Sequence, residues 1–388
     1  MKINNWTRAL LATGVVGMGA VAQAEEGPAA NVLTAVSGTQ ISGYVSTSAI
    51  WSPDDQPIGT SFTPAGDHDG FNLDVVDVTI SKALDDSDWA TGYTAEFWFG
   101  PDATGLGNNV GAGATGSDIA IKQANIQLRA PIGNGLDLTM GVFDTIIGYE
   151  VANSVDNWNY TRSYGFFNEP FQHNGLLASY RVCDEAAVNV GIANTANTTL
   201  TGRNAGGTSG SSSALTYMAS LNVTLPDSLG PLAGSEWTFG AVDGDNVGVS
   251  AATDTTHIYA GGVMNTPLAG LQLGVAWDHL NVEGAVDVDT IALYTSYEVS
   301  KKLKVNTRLD YLDGGSAGVG GIGGGQELLG TTVTADYALW ENVLTRAEVR
   351  WDHILDHGPA QSAALTPAGG TAGATDAWLF AVNVAYRF

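Results

Sequence analysis

The last eleven residues of the chain alternate between two kinds of side chain. From Trp378 to Phe388 every even position is large and apolar, whereas the odd positions after Leu379 are small or polar. A period of two over this length predicts a β-strand with one apolar face. A soluble edge strand rarely places so many bulky groups on one side and ends on an aromatic residue. The pattern is typical of a strand whose outer face contacts lipid.

The amino terminus has the features of a secretion signal. Lys2 and Arg8 precede an apolar run over 9–21, and Ala22-Gln23-Ala24 offers small residues at both cleavage positions. The run is too short to span a membrane, and no later stretch reaches the roughly 18 consecutive apolar residues that a spanning helix needs. We therefore predict a Sec signal peptide over 1–24, cleaved after Ala24, a periplasmic segment over 25–38 and a transmembrane β-barrel over 39–388.

The net charge excludes one class of partner. The chain has 15 Lys and Arg residues against 40 Asp and Glu residues, a formal net charge of −25. Nucleic-acid binding needs a basic face, so we predict no nucleic-acid partner. An acidic surface instead attracts cations.

Alternation and turn residues divide the rest of the chain into strands. We predict an all-β fold, an antiparallel up-and-down barrel of about sixteen strands. The second strand loses its phase near Val75–Val76, which indicates a β-bulge. The predicted strands are 39–51, 71–84, 89–99, 119–130, 135–143, 174–182, 186–194, 214–225, 236–243, 255–265, 271–280, 287–299, 303–312, 327–339, 343–353 and 376–388.

The lengths of the connections alternate along the chain. Connections after odd strands are mostly long, such as 100–118 and 144–173, whereas those after even strands are mostly short, such as 183–185 and 340–342. Short periplasmic turns and long external loops are typical of bacterial outer-membrane barrels. At this strand number the interior is wide enough to hold water.

With the apolar face outward, the opposite positions of the strands face the lumen. Charges against lipid are costly, by about 2–4 kcal/mol for Arg or Lys at mid-bilayer, so the charged positions belong inside. In an alternative interpretation, these charges pair between neighbouring strands and have only a structural role. The basic residues predicted to form the pore wall are Arg129, Arg181, Lys304, Arg308, Arg346 and Arg350.

The connection 144–173 is far more aromatic than a solvated loop. We predict that it folds inward after strand 5, where its rings rest on the wall and narrow the pore. Alternatively, it packs over the rim or against a neighbouring protomer. We predict Glu150, Asp156 and Arg162 at the constriction. Acids opposite a basic wall would give only a weak net preference, for cations.

Residues 119–180 contain a series of distinctive short motifs. The motifs are Lys122-Gln123-Ala124, Leu128-Arg129-Ala130-Pro131, Gly133-Asn134-Gly135-Leu136, Gly141-Val142-Phe143, Gly148-Tyr149-Glu150, Asn157-Trp158-Asn159-Tyr160, Arg162-Ser163 and Pro170-Phe171-Gln172-His173-Asn174-Gly175. They resemble those of a known family, the putative beta-barrel porin-2 family of bacterial outer membranes. The resemblance implies a barrel with a porin-like role, and the chain departs from the family pattern at Val142, where a basic residue is common.

Catalytic and cofactor motifs are missing from the sequence. The glycines from Gly318 to Gly323 match a dinucleotide fingerprint, but no helix or βαβ context surrounds them. The tight His/Asp groupings considered, 67–69 and 352–357, are weak metal candidates. We therefore predict no cofactor, no metal and no enzymatic activity.

The sequence favours a porin, a water-filled channel in a bacterial outer membrane for passive diffusion of ions and small hydrophilic solutes. The alternative is a structural or adhesive surface barrel that binds partners through its acidic loops. Further predicted partners are outer-membrane lipid, the barrel assembly machinery, for which Phe388 is the assembly signal, and two further copies in a homotrimer.

Overall fold

A computed structural model describes residues 38–53, 62–63, 67–106, 118–196, 200, 215–245, 254–284, 286–314, 327–356 and 375–388. The predicted signal peptide lies outside these residues, as do 25–37 of the predicted periplasmic segment.

The described residues form a closed antiparallel barrel of sixteen strands, as predicted. Each strand pairs with its neighbours in the chain, and the first strand pairs with the last. The strands are β1 Gln40–Trp51, β2 Gly70–Lys82, β3 Thr91–Phe99, β4 Ile119–Ala130, β5 Leu136–Asp144, β6 Gln172–Cys183, β7 Ala186–Ala193, β8 Thr216–Thr224, β9 Glu236–Asp245, β10 Asp254–Asn265, β11 Leu271–Val282, β12 Val286–Ser300, β13 Leu303–Asp313, β14 Glu327–Trp340, β15 Val343–Asp356 and β16 Asp376–Arg387.

The terminal strand has the two faces that its alternation predicts. Phe380 and Val384 are exposed on the outside of the barrel, whereas Leu379 and Asn383 are buried inside. The chain end closes the ring, since the backbone N–H of Phe388 donates to Gly43 and the N–H of Gly43 donates back to Phe388. The outward apolar side chains therefore form a band that suits contact with lipid.

The two ends of the barrel differ in the lengths of their connections. One end, the short-turn end, has turns as short as 341–342, where Asn342 adopts a positive φ of 62° that asparagine tolerates. The other end, the long-loop end, has connections such as 100–118 and 145–171. The predicted segregation of loop lengths is therefore present.

Two β-bulges turn charged residues into the barrel. The β1–β2 register shifts at Asp74, close to the predicted bulge, and the β3–β4 register shifts at Lys122. A bulge adds one residue to one strand and re-aims the side chains around it. Asp74 and Lys122 are both buried as a result.

Short helical turns occur only in connections, among the residues that the structure describes. They are the helices α1 Asp102–Gly105 and α2 Tyr164–Asn168 and the 3-10 turns Ser154–Asp156 and Asp227–Leu232. No described helix is long and apolar enough to cross a membrane.

Candidate pore constriction

The connection 145–171, here called the β5–β6 segment, is largely buried. Phe166 packs with Phe62 and Trp98 in one apolar cluster. In a second cluster, Ile147 packs with Tyr294. The aromatic residues that made this connection unusual in the sequence therefore have partners on the inner faces of the strands.

The inner face of β13 to β15 accepts hydrogen bonds from the backbone of the segment. Glu348 accepts from the N–H groups of Tyr160 and Thr161, at 2.6 and 2.9 Å. Asp310 accepts from the N–H of Tyr164 at 3.1 Å. Because a charged acceptor makes a stronger hydrogen bond than a neutral one, these carboxylates fix the path of the segment.

Arginines on the same strands donate to carbonyl groups of the segment. Arg308 donates to the carbonyl of Thr161 at 2.6 Å, and Arg350 donates to the carbonyl of Arg162 at 2.9 Å. Arg346 donates to the carbonyl of Ser154 at 2.8 Å. All three arginines are buried. Since β14 stands halfway round the ring from β6, the segment contacts the side of the barrel opposite its own ends.

Each residue predicted for the constriction has a partner of its own. Glu150 forms an ion pair with Arg308, with 3.0 Å between Oε1 and Nη1. Asp156 forms an ion pair with Arg387 over 3.0 Å. The Arg162 guanidinium lies 4.6 Å from the ring centre of Phe62, a cation–π contact. The structure thus brings Glu150 and Arg308 into direct contact.

The other basic residues predicted for the pore wall lie towards the short-turn end. Arg129 pairs with Asp137 at 2.7 Å and with Asp86 at 2.8 Å. Arg181 pairs with Asp184 across the β6–β7 turn. Lys304 is exposed on β13. The structure does not bring these three residues to the β5–β6 segment.

A cavity of about 430 Å³ lies between the β5–β6 segment and the strands. Acidic groups outnumber basic groups in its lining, and Tyr149 and Trp158 add aromatic surface. A cavity of this size that carries charged side chains has room and polar partners for water molecules. Its charged lining residues are Asp77, Lys82, Glu96, Lys122, Asp144, Glu150, Asp156, Glu236 and Arg387.

Sequence reasoning missed a charged network in the wall of this cavity. Lys122 pairs with Asp144 at 2.6 Å and with Glu96 at 3.4 Å. Asn153 of the segment donates to Glu96 at 3.0 Å and to Asp77 at 3.3 Å. Strict alternation would have directed Lys122 towards lipid. The free-energy cost of a lysine that faces lipid was the signal in the sequence for the bulge that turns Lys122 inward.

The bulge at Asp74 provides a further attachment point for the segment. The Asp74 carboxylate accepts from the hydroxyls of Ser46 and Ser48, at 2.7 and 2.6 Å. It also accepts from Asn383 at 3.1 Å and from the hydroxyl of Tyr160 at 3.3 Å. This buried acid is therefore satisfied by neutral donors from two strands, β1 and β16, and from the segment.

Glu169, near the end of the segment, is a buried acid beside another acid. Burial and the neighbouring Asp278 carboxylate raise the pKa of Glu169 well above its usual value. The two carboxyl groups are hydrogen-bonded to each other. Gly148 has a φ of 111°, and a Cβ there would overlap the Glu169 carboxylate. Glycine at 148 thus leaves room for this acid pair.

We expect the stability of the barrel to fall with rising pH partly through Glu169. The folded state binds more protons than the unfolded state between about pH 4.3 and the raised pKa, so stability is lost as pH rises through this window. Glu169→Gln keeps a donor but cannot ionise. Heat-induced unfolding at about pH 5 and about pH 8 should show a smaller pH-dependent loss in this variant. Glu185→Gln in an exposed turn is the control, and an equal loss in both variants contradicts the expectation.

The family model that matches this sequence describes putative beta-barrel porin-2, OmpL-like proteins, and it covers residues 38–388. The chain belongs to this family. The resemblance found in residues 119–180 thus extends through the whole barrel. No curated protein sequence matches the chain.

Solved structures of bacterial proteins share the fold of this porin-2 family member. An anion-selective porin from Comamonas acidovorans is 14% identical, with a TM-score of 0.59, over 90% of this chain and 99% of that one. OmpT of Vibrio cholerae in a trimer form is 14% identical, with a TM-score of 0.56, over 90% and 99%. Salmonella typhi OmpF in complex with daunomycin is 12% identical, with a TM-score of 0.57, over 90% and 97%. At these identities the likeness shows the barrel fold alone.

Proposed function

We propose that the protein is a porin of the bacterial outer membrane, a water-filled channel for passive diffusion of ions and small hydrophilic solutes. The β5–β6 segment folds into the lumen and sets its narrowest cross-section. One observation carries this proposal: inward-facing side chains of β13 and β15 hold the backbone of the segment halfway round the ring from β6. The family and the fold support a bacterial outer-membrane location and a non-enzymatic channel.

In this proposal the short-turn end faces the periplasm and the long-loop end faces outward. Phe388 acts as the assembly signal. The strand that it ends pairs with β1, so recognition of this terminus and closure of the ring involve the same residues. A homotrimer is supported by the trimer form of the Vibrio cholerae neighbour.

The charges in the cavity support a weak preference for cations. Carboxylates outnumber basic groups in its lining, and the basic Lys122 is already paired with two of them. Arg308, Arg346 and Arg350 are covered by the segment, so they contribute little to the potential that a hydrated ion meets. The Asp156–Arg387 pair is reachable, because these side chains are 44% and 31% exposed.

The test is conductance of the purified protein in planar lipid bilayers. We expect ohmic channels with a reversal potential in a KCl gradient that shows weak cation preference. Arg387→Gln should shift that potential towards cations and Asp156→Asn towards anions, each modestly, whereas the double variant should resemble the wild type because the net charge is restored.

Two results would contradict parts of this proposal. Folded barrels without conductance contradict the porin and favour a surface barrel that binds partners. Conducting channels whose selectivity ignores both substitutions contradict the assignment of this cavity to the conducting path. Arg181→Gln at the short-turn end, where Arg181 pairs with Asp184, is the matched control.

A further inference from the structure

The outer face of the barrel carries the same three-residue motif twice, near the long-loop end. Trp277-Asp278-His279 lies in the second half of β11, towards the long-loop end, and Trp351-Asp352-His353 lies in the second half of β15. In each motif the central aspartate is buried inside the barrel, whereas the tryptophan and histidine rings stack on the outside.

Each motif converges on an aspartate of the next strand. Trp277 Nε1 donates to Asp289 Oδ1 at 3.1 Å, and His279 Nδ1 is 3.3 Å from the same oxygen. In the second motif, Trp351 and His353 contact Asp376 Oδ1 in the same way, at 3.0 and 2.9 Å. The tryptophan thus fixes the carboxylate that faces the histidine.

Beside His279 and Asp289 of the first motif lies a third side chain of a type that binds metal ions, Asp287. Asp287 Oδ1 lies 4.0 Å from His279 Nδ1, because Asp287 is two residues before Asp289 on the same face of β12. The ligand atoms of His279, Asp287 and Asp289 all lie within 4.8 Å of one another. Within the described ranges, this is the one place where three such side chains meet so closely.

The spacing suits a metal ion. Zinc ligands lie about 2.0–2.2 Å from the ion, so two ligands of a tetrahedral site are about 3.4 Å apart. The distance of 3.3 Å between His279 Nδ1 and Asp289 Oδ1 already matches this separation. Rotation of the exposed Asp287 side chain shortens the 4.0 Å distance between its Oδ1 and His279 Nδ1. Paired strands hold all three residues, which keeps the reorganisation small.

We propose that His279, Asp287 and Asp289 form a binding site for one divalent transition-metal ion of the Zn²⁺ type. Two carboxylates and one imidazole suit such an ion better than Ca²⁺ or Mg²⁺, which take oxygen ligands in larger or octahedral sets. Two carboxylates balance the charge of the ion. Three protein ligands leave a coordination position open to water, since Asp287 and Asp289 are 59% and 51% exposed. The site is on the outer face, so it is independent of the channel and departs from the sequence-based expectation of no metal.

The chain provides its own matched control, because the second motif shares the Trp–His–Asp contacts but, among the residues that the structure describes, belongs to no such triad. We expect untagged, folded protein to bind Zn²⁺ in isothermal titration. His279→Ala should remove one equivalent, Asp287→Asn should weaken that equivalent at least about tenfold, and His353→Ala should leave it unchanged. Heat-modifiable migration in gels confirms that each variant is folded.

A second readout uses Co²⁺ in place of Zn²⁺. Visible absorption typical of a four-coordinate site should appear in the wild type and in His353→Ala and be lost in His279→Ala. Equal Zn²⁺ binding by all variants, loss of the same equivalent in both histidine variants, or Zn²⁺ displaced by an equal concentration of Mg²⁺ overturns the proposal.

Discussion

Replacing residues 154–163 by a Gly-Ser-Gly linker should raise the single-channel conductance severalfold. This stretch contains the backbone groups that Glu348, Arg308, Arg346 and Arg350 hold, so its removal detaches the segment from the opposite wall. Conductance rises because the narrowest cross-section of a pore dominates its resistance. The segment returns close to its own start over this stretch, since the N–H of Ser163 donates to Glu150 at 2.6 Å. A three-residue linker spans roughly 10 Å when extended, so it can join Asn153 to Tyr164.

A deletion of ten residues within 201–214, in the β7–β8 connection, is the control for a shortened chain. Both variants must form heat-modifiable barrels before their conductance is compared. Unchanged conductance in the linker variant places the β5–β6 segment outside the conducting path, whereas the same rise in both variants points to a general effect of loop shortening.

Arg308→Met should destabilise the barrel by about 3–5 kcal/mol, the usual cost of removing one partner from a buried ion pair. Arg308 is buried between Glu150 and Asp310, at 3.0 and 3.3 Å, and also holds the carbonyl of Thr161. Without the guanidinium, two neighbouring carboxylates remain unpaired. Urea unfolding of the protein in lipid vesicles, followed by tryptophan fluorescence, measures the change.

A second substitution tests the cause of this loss. Adding Glu150→Gln to Arg308→Met removes one unpaired charge, so the double variant should recover part of the stability. Arg181→Met is the matched control, because the exposed Arg181–Asp184 pair should contribute no more than about 1 kcal/mol. Equal losses for Arg308→Met and Arg181→Met would show that burial of the Glu150–Arg308 pair has no energetic consequence.

The strands were predictable because a position that faces lipid must be apolar, so apolar residues recur at every second position of a strand. The bounds of β4 agree with the prediction, and β16 differs by one residue at its end. The bulge at Lys122 was missed because one inserted residue reverses the phase on either side of it. The short helices α1 and α2 have too few residues for a period to emerge.

The candidate site was predictable in part. Alternation placed Arg308, Arg346 and Arg350 on the inner face, and the aromatic content of 144–173 indicated that this connection needs a surface to pack on. Alternation cannot say whether an inward arginine meets water or protein. The pairing of Glu150 with Arg308 joins residues far apart in the chain through an irregular path, so no local pattern encodes it.

The wall holds the β5–β6 segment mainly by its main chain. Glu348 binds two N–H groups, and Arg308, Arg346 and Arg350 bind carbonyl groups, all of which every non-proline residue supplies. Attachment of the segment is therefore largely separate from the identity of side chains such as Asp156 and Trp158, which line the cavity. If the proposed channel function holds, a lineage, or an engineer, can exchange those side chains to change what passes while the scaffold that presents them stays in place.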